Sequence, residues 1–187
     1  DVQQALAGHF AAKKNLYYKD TPAEIRDLLW HRFESAVRPL RDAGKLRALH
    51  FQFAPWVTRS ARAKDHILEC QQRLAGYHLA VEFRHRSWFA DDATEDTLAF
   101  ERANDLSHVV VDEPQGFENS IPTVWAVTSP KLAILRLHGR NVATWNIGGE
   151  AASDRFNYDY SDAELGELVA PLRETASLAG ETHAIFN

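Results

Sequence analysis

Segments with strand character end near positions 53, 84, 112 and 138. That is about the spacing of successive βα units, and helical periodicity fills much of the chain between them. Right-handed parallel crossovers of this kind give either a doubly wound sheet or a closed (β/α)8 barrel. No Gly-x-Gly-x-x-Gly turn follows any strand, which weighs against a dinucleotide-binding sheet. The expectation is an α/β protein with a TIM-type (β/α)8 barrel, incomplete in this chain. A full barrel takes about 250 residues. The 187 residues present therefore hold about five or six of the eight strands, in a single domain over residues 1–187. The chain opens on Asp1, contains no methionine, and stops at Ala184-Ile-Phe-Asn187 inside an expected strand, so it reads as part of a longer protein.

Residues 10–15 suggest a short strand. Asp20-Thr-Pro-Ala-Glu24 has the form of a helix start, with a capping residue, a proline in the first turn and an early acid. Ile25, Leu28, Leu29, Phe33, Val37 and Leu40 then recur at helical spacing, and Gly44 ends the helix. Strand 46–53 is broken by Pro55. Helix 63–74, the strand within 77–88, helix 94–104 and strand 106–112 follow. The loop 115–130 leads to strand 131–138. A polar loop at 146–160 precedes Ser161-Asp-Ala-Glu164, a capping-box pattern opening another helix. One more strand starts at 183.

Applying the two-residue period of a strand sorts the side chains into two sets. Expected on the inner face are His50 and Gln52; Glu82 and Arg84; Val110 and Asp112; Ile134, Arg136 and His138. Expected on the outer face are Leu49, Phe51, Phe53, Val81, Phe83, Val109, Val111, Leu135 and Leu137. The inner polar residues fall at the C-terminal ends of their strands, where barrel enzymes carry their active sites. Arg84 and Arg136 are planar forks suited to a carboxylate or phosphate, and Arg140 in the loop beyond adds a further anion contact. Glu82 or Asp112 suits a general base, and His138 a proton shuttle. The plain alternative is a structural ion network closing the barrel mouth. Trp88, Trp125, Trp145, Phe156, Tyr158 and Tyr160 read as loop packing, or as a stacking platform for a base or sugar. Glu82, Asp112 and His138 could converge on a metal, but two neighbouring arginines oppose a cation, and no metal ligand is assigned.

Composition narrows the function classes. A formal net charge of −5 and a pI near 6.0 do not make a basic footprint, so extended duplex nucleic acid is not an expected partner. One cysteine, Cys70, excludes an intrachain disulfide and a multi-cysteine zinc site, and reads as a small buried residue. No apolar run reaches membrane-span length and no signal-peptide pattern opens the chain. A soluble cytoplasmic protein is the expectation, with no membrane contact.

Val81-Glu-Phe-Arg-His-Arg-Ser-Trp88, Val111-Asp-Glu-Pro114 and Arg136-Leu-His-Gly-Arg-Asn141 resemble three signature segments of the YecE-like family, the "domain of unknown function 72". Gln52-Phe-Ala-Pro55, Trp145, Tyr158-Asp-Tyr160 and Phe186-Asn187 agree with it. The resemblance covers most of the chain. It implies a TIM-barrel-like fold longer than this chain, with a second asparagine directly after Asn187, and no settled reaction, substrate or cofactor.

Two functions follow from the residues. One is an enzyme acting by acid/base chemistry on a small anionic substrate, such as a phosphorylated metabolite or nucleotide. Glu82, Asp112 and His138 would be catalytic; Gln52, Arg84, Arg136, Arg140, Asn141, Trp88 and Asn187 would bind substrate. That reading expects Glu82→Gln to abolish turnover with the thermal midpoint nearly unchanged. The other is a non-catalytic module binding nucleic acid or a phosphorylated ligand, weakened by Arg140→Ala.

Overall fold

The computed structural model describes residue 7 and residues 17–187; the strand expected at 10–15 lies outside the described residues. The described chain forms two compact units, one of its described residues up to 47 together with 73–75, the other of residues 48–72 and 76–187.

In the first unit, helix α1 (Ala23–Asp42) starts after Pro22, which holds the cap position without a side-chain cap bond. Asp20 is not the cap. It closes a 3-10 turn, Tyr18–Asp20, and the Thr21 hydroxyl donates back to the Tyr17 carbonyl at 3.1 Å. Gly44 at φ +67° terminates the helix as expected, in a conformation that favours glycine. Ile25 is buried, but Leu29, Phe33 and Leu40 are exposed.

The second unit is a mixed α/β layer structure. Its strands are β1 (Leu49–Gln52), β2 (Leu79–Glu82), β3 (Ser107–Asp112), β4 (Leu132–Leu137) and β5 (Glu181–Phe186). Helices α2 (Ala61–Arg73, of which all but the last residue belong here), α3 (Ala93–Ala103) and α4 (Asp162–Leu178) complete it. All strand pairs are parallel, in the order β1-β2-β3-β4-β5. A doubly wound sheet reverses its strand order at a switch point; this one never does. The capping box at the start of α4 is complete, with the Ser161 side chain accepting from the Glu164 N–H and the Glu164 carboxylate accepting from the Ser161 N–H.

The sheet curls toward one face. Strands lie about 4.8 Å apart, so β2 and β4 in a flat sheet would be separated by about 10 Å across β3. Yet Glu82 of β2 and His138, one residue past β4, are 2.9 Å apart, Oε1 to Nε2. The concave face is the half-barrel interior. The convex face carries the apolar layer: Phe53 meets His66 of α2, Phe83 stacks on Trp88 at 3.9 Å, and Phe89 packs edge-on against His108. Val110, Leu135, Leu137 and Leu168 of α4 form one cluster on this side.

That cluster corrects the expected parity of β3. Register pairs Val110 with Leu135, Val111 with Arg136 and Asp112 with Leu137. Val109 and Val111 therefore face the interior, while His108, Val110 and Asp112 face the helices. The reason is physical: all of β3 is buried, both faces are apolar at Val109-Val-Val111, and a strand buried on two sides carries no alternation to read.

Candidate functional site: a buried acid–guanidinium cluster

Glu82 ends β2 with its side chain wholly buried on the concave face. His138 donates from Nε2 to Glu82 Oε1 at 2.9 Å. His50, from the neighbouring β1, brings Nε2 to 2.9 Å from Oε2, without hydrogen-bond alignment. Arg84 and Arg136 each approach at 3.7 Å. The short inner residues of β3, Val109 and Val111, leave room for these contacts to span the strand. Burial would raise the Glu82 carboxyl, but the histidine contacts outweigh it and hold it down at about 2. Glu82 is a fixed negative charge.

His138 is equally fixed. The Asn187 Oδ1 accepts from Arg136 Nη2, so the Asn187 amide Nδ2 is the atom facing His138 Nδ1, at 2.8 Å. An amide nitrogen only donates; Nδ1 must accept, and the proton sits on Nε2, toward Glu82. Burial favours the neutral ring and lowers its pKa. Both ring nitrogens are occupied by protein groups, Glu82 at Nε2 and Asn187 at Nδ1. Asn187→Asp would replace the donor with a carboxylate acceptor and favour the imidazolium. We expect the His138 pKa to rise by more than about one unit, read from its ring nitrogen shifts in a pH titration; an unchanged neutral Nε2–H ring would contradict the assignment.

Sequence reasoning placed Asp112 in this cluster. It lies instead on the convex side. Arg140 forks it through Nε at 3.0 Å and Nη2 at 2.9 Å, and the Tyr160 hydroxyl donates to Oδ2 at 2.6 Å. Arg140 also donates from Nη1 to Glu167 of α4 at 3.1 Å, so its fork is engaged by carboxylates of the chain. Gly139 makes the crossing between the two sides. At φ +85°, any Cβ there would fall 2.5 Å from that of Tyr158.

The second interior carboxylate is Glu113, which the sequence reading passed over. It continues β3 by one residue and is 2 % exposed. Its Oε1 accepts from the Ile121 N–H at 2.8 Å, and Arg84 Nη2 stands 3.4 Å from Oε2. Burial raises Glu113 to about 7, opposed by Arg84 and by the Ile121 bond, and assisted by repulsion from Glu82 and Asp112. The signal was present in Asp112-Glu-Pro114, where two adjacent acids must point to opposite faces.

Other expected ligand contacts divide. Gln52 lies in register with Glu82 on the inner face of β1, and is exposed. Asn141 donates from its amide to the Asn157 carbonyl at 3.5 Å. Trp88 is wholly buried on the convex side and donates its indole N–H to the Val57 carbonyl at 2.8 Å; it is core, because its ring completes the aromatic stack on Phe83. Trp145 is buried too, with Arg84 Cζ 5.3 Å from its ring centre. Phe156 packs against both Trp145 and His138. Among the described residues no group of three or more His, Cys, Asp or Glu side chains is disposed to hold a metal ion.

Among the described residues, several buried atoms of the cluster have no hydrogen-bond partner: Nε of Arg84 and of Arg136, Oε2 of Glu113 and Nε1 of Trp145. Such atoms are rare in native interiors and mark places where a partner belongs.

A parallel α/β half-barrel with charged side chains gathered at its strand ends is the class this fold and site define. The chain belongs to the family described as "Protein of unknown function DUF72", whose profile matches residues 7–187. It is 30% identical over 171 residues to the UPF0759 protein YunF of Bacillus subtilis, covering 90% of this chain and 61% of that one. A crystal structure of a DUF72 family protein from Enterococcus faecalis is similar at 29% identity and TM-score 0.81, over 86% of this chain and 59% of the other. One from Thermotoga maritima is similar at 30% identity and TM-score 0.74, over 84% and 57%. The chain thus spans about three fifths of the length of these relatives. No helix among the described residues is long and apolar enough to cross a membrane.

Proposed function

We propose that this protein is an enzyme that holds a small oxyanion-bearing substrate with Arg84 and Arg136 and moves a proton through Glu113. Glu82 is the fixed counter-charge, kept ionised and in place by His138 and His50, and Asn187 orients His138. Asp112 and Arg140 brace the rim from outside. The observation that carries this reading is the state of the two interior guanidiniums. Among the described residues both are largely buried, their nearest carboxylate atoms stand at 3.4–3.7 Å, beyond normal hydrogen-bond length, and both Nε atoms lack a partner. Arg140, by contrast, is saturated. Buried cations with idle donors are costly unless an anion meets them. With Glu113 protonated, two guanidiniums face one carboxylate, and the site favours a negative ligand. A group titrating near neutrality beside such a ligand suits general acid/base catalysis.

The five sequentially ordered parallel strands, and the greater length of the relatives, support reading residues 1–187 as the larger part of a single TIM-type (β/α)8 domain. The cytoplasmic setting expected from the sequence stays part of the proposal. The second reading, a ligand-binding module without chemistry, shares Arg84 and Arg136 and gives Glu113 no task. Calorimetric titration with inorganic phosphate and with acetate tests the shared step. We expect binding that is tighter at pH 6 than at pH 8 and weakened at least about tenfold in Arg84→Gln. No heat from either anion, at either pH, would refute the anion site.

A further inference from the structure

Trp145 carries no charge and moves no proton, yet it is buried against the Arg84 guanidinium. Its side chain is 1 % exposed, and its indole N–H has no hydrogen-bond partner among the described residues. The other two buried or half-buried indole N–H groups for which a bond is seen are satisfied by protein: Trp30 donates to the Tyr18 hydroxyl at 2.9 Å and Trp88 to the Val57 carbonyl at 2.8 Å. A tryptophan placed only for packing would be expected to do the same, because a buried indole N–H without a partner loses the hydration it had in water and gains nothing in return.

Its surroundings say where a partner would come from. The Trp145 ring lies against the Arg84 guanidinium, 5.3 Å from Cζ to ring centre. Its edge meets Phe156, whose own ring lies 5.7 Å from that of His138. Trp145 and Phe156 therefore roof the interior cluster from the loop that follows β4. The stack on Arg84 fixes the plane of a guanidinium whose Nε is idle, and the indole brings a second idle donor beside it. Arg136 Nε is the third. Three idle donors are gathered on one buried cluster, and the two idle carboxylate oxygens there, Oε2 of Glu82 and Oε2 of Glu113, bond none of them; the donors are an acceptor-rich ligand's complement.

The geometry points to Trp145 as a ligand-binding residue: its indole N–H donates to the same oxyanion group that Arg84 and Arg136 hold. The group is a phosphate or a carboxylate, which share this chemistry. The inference rests on the anion-site reading above and adds to it a neutral, directional donor and a wall that closes over the ligand.

The test is a titration of the whole 15N-labelled protein with sodium phosphate, and separately with sodium acetate, following the indole N–H resonances. The Trp145 resonance should move and saturate with the calorimetric binding curve, while those of Trp30 and Trp88 stay in place. Trp145→Phe, which keeps an aromatic wall and removes the donor, should weaken binding at least about tenfold. A shift with phosphate alone identifies a phosphoryl ligand, and a shift with acetate alone a carboxylate ligand; either supports the inference. A stationary Trp145 resonance, in a protein whose anion binding is still lost in Arg84→Gln, overturns the role of Trp145 and leaves the anion site standing. Should Trp145→Phe fail to fold, the wild-type resonance decides alone. Absence of binding by either anion to the wild-type protein overturns the anion site, and this inference with it.

Discussion

Glu113→Gln should make the protein more stable and less active at once. Glu113 is 2 % exposed, and burial raises its carboxyl from 4.5 to about 7. The sign follows from proton counting. Between those two values the folded chain keeps a proton that the unfolded chain has released, so stability falls as pH rises through that window. The difference corresponds to roughly 3 kcal/mol once pH exceeds 7. Glutamine is nearly isosteric, its oxygen can still accept from the Ile121 N–H, and it never ionises. At pH 8 the variant should therefore gain on the order of 2–3 kcal/mol in a urea melt, and at pH 4.5 close to nothing. A general acid/base lost in the same substitution should lower turnover by roughly 10²–10⁴. Structural ion networks lose stability when a member is removed; a residue that destabilises its own fold in its charged form, and is retained, is most simply explained by a task. Equal melts of variant and wild type at pH 8 would remove Glu113 from the mechanism.

The architecture was legible because two-residue alternation is loud in three strands. In β1, β2 and β4 the apolar residues Leu49, Val81, Phe83, Leu135 and Leu137 and the polar residues His50, Glu82, Arg84, Arg136 and His138 fell on the faces expected. β3 was silent. Val109-Val-Val111 satisfies either face, and only its register with β4 shows that Asp112 turns to the helices and Glu113 to the interior. Asp112 was plausible in the interior for the same reason that it is stable outside: it is a carboxylate beside arginines. The arginine that claims it, Arg140, is separated from His138 by a single glycine, and that glycine's positive φ sends the chain to the other side. Backbone twists of this kind have no hydrophobic period. Trp88 and Trp145 look alike in sequence, and only packing separates a core indole with its N–H satisfied from one whose N–H is not. The partners of His138 were not legible, because what occupies each ring nitrogen is set from afar: Asn187 lies 49 residues away.

Glu82→Gln should do the opposite of Glu113→Gln. The sequence reading expected loss of turnover with an unchanged thermal midpoint. The geometry predicts a large loss of stability, because Glu82 is the one fixed negative charge among two guanidiniums and two imidazoles. Removing one partner of a buried ion pair typically costs 3–5 kcal/mol, since the other charge stays behind uncompensated. The pH dependence carries the signature. Glu82 is held at about 2 in the folded protein against an ordinary value of 4.5. Its contribution is fully present above 4.5 and fades as pH falls toward 2. Wild type and variant should differ by about 3–4 kcal/mol at pH 7 and converge near pH 2. The deficit should also be softened by Glu113. Repulsion from Glu82 helps to raise Glu113, so once that charge is gone Glu113 should ionise at lower pH and take over part of the neutralisation of Arg84. Glu82→Gln and Glu113→Gln together should then cost more than the sum of the two single effects, a coupling of about 1–3 kcal/mol in a double-mutant cycle at pH 7. Strict additivity would mean that the two carboxylates do not share the guanidinium, and that the interior is not one electrostatic unit.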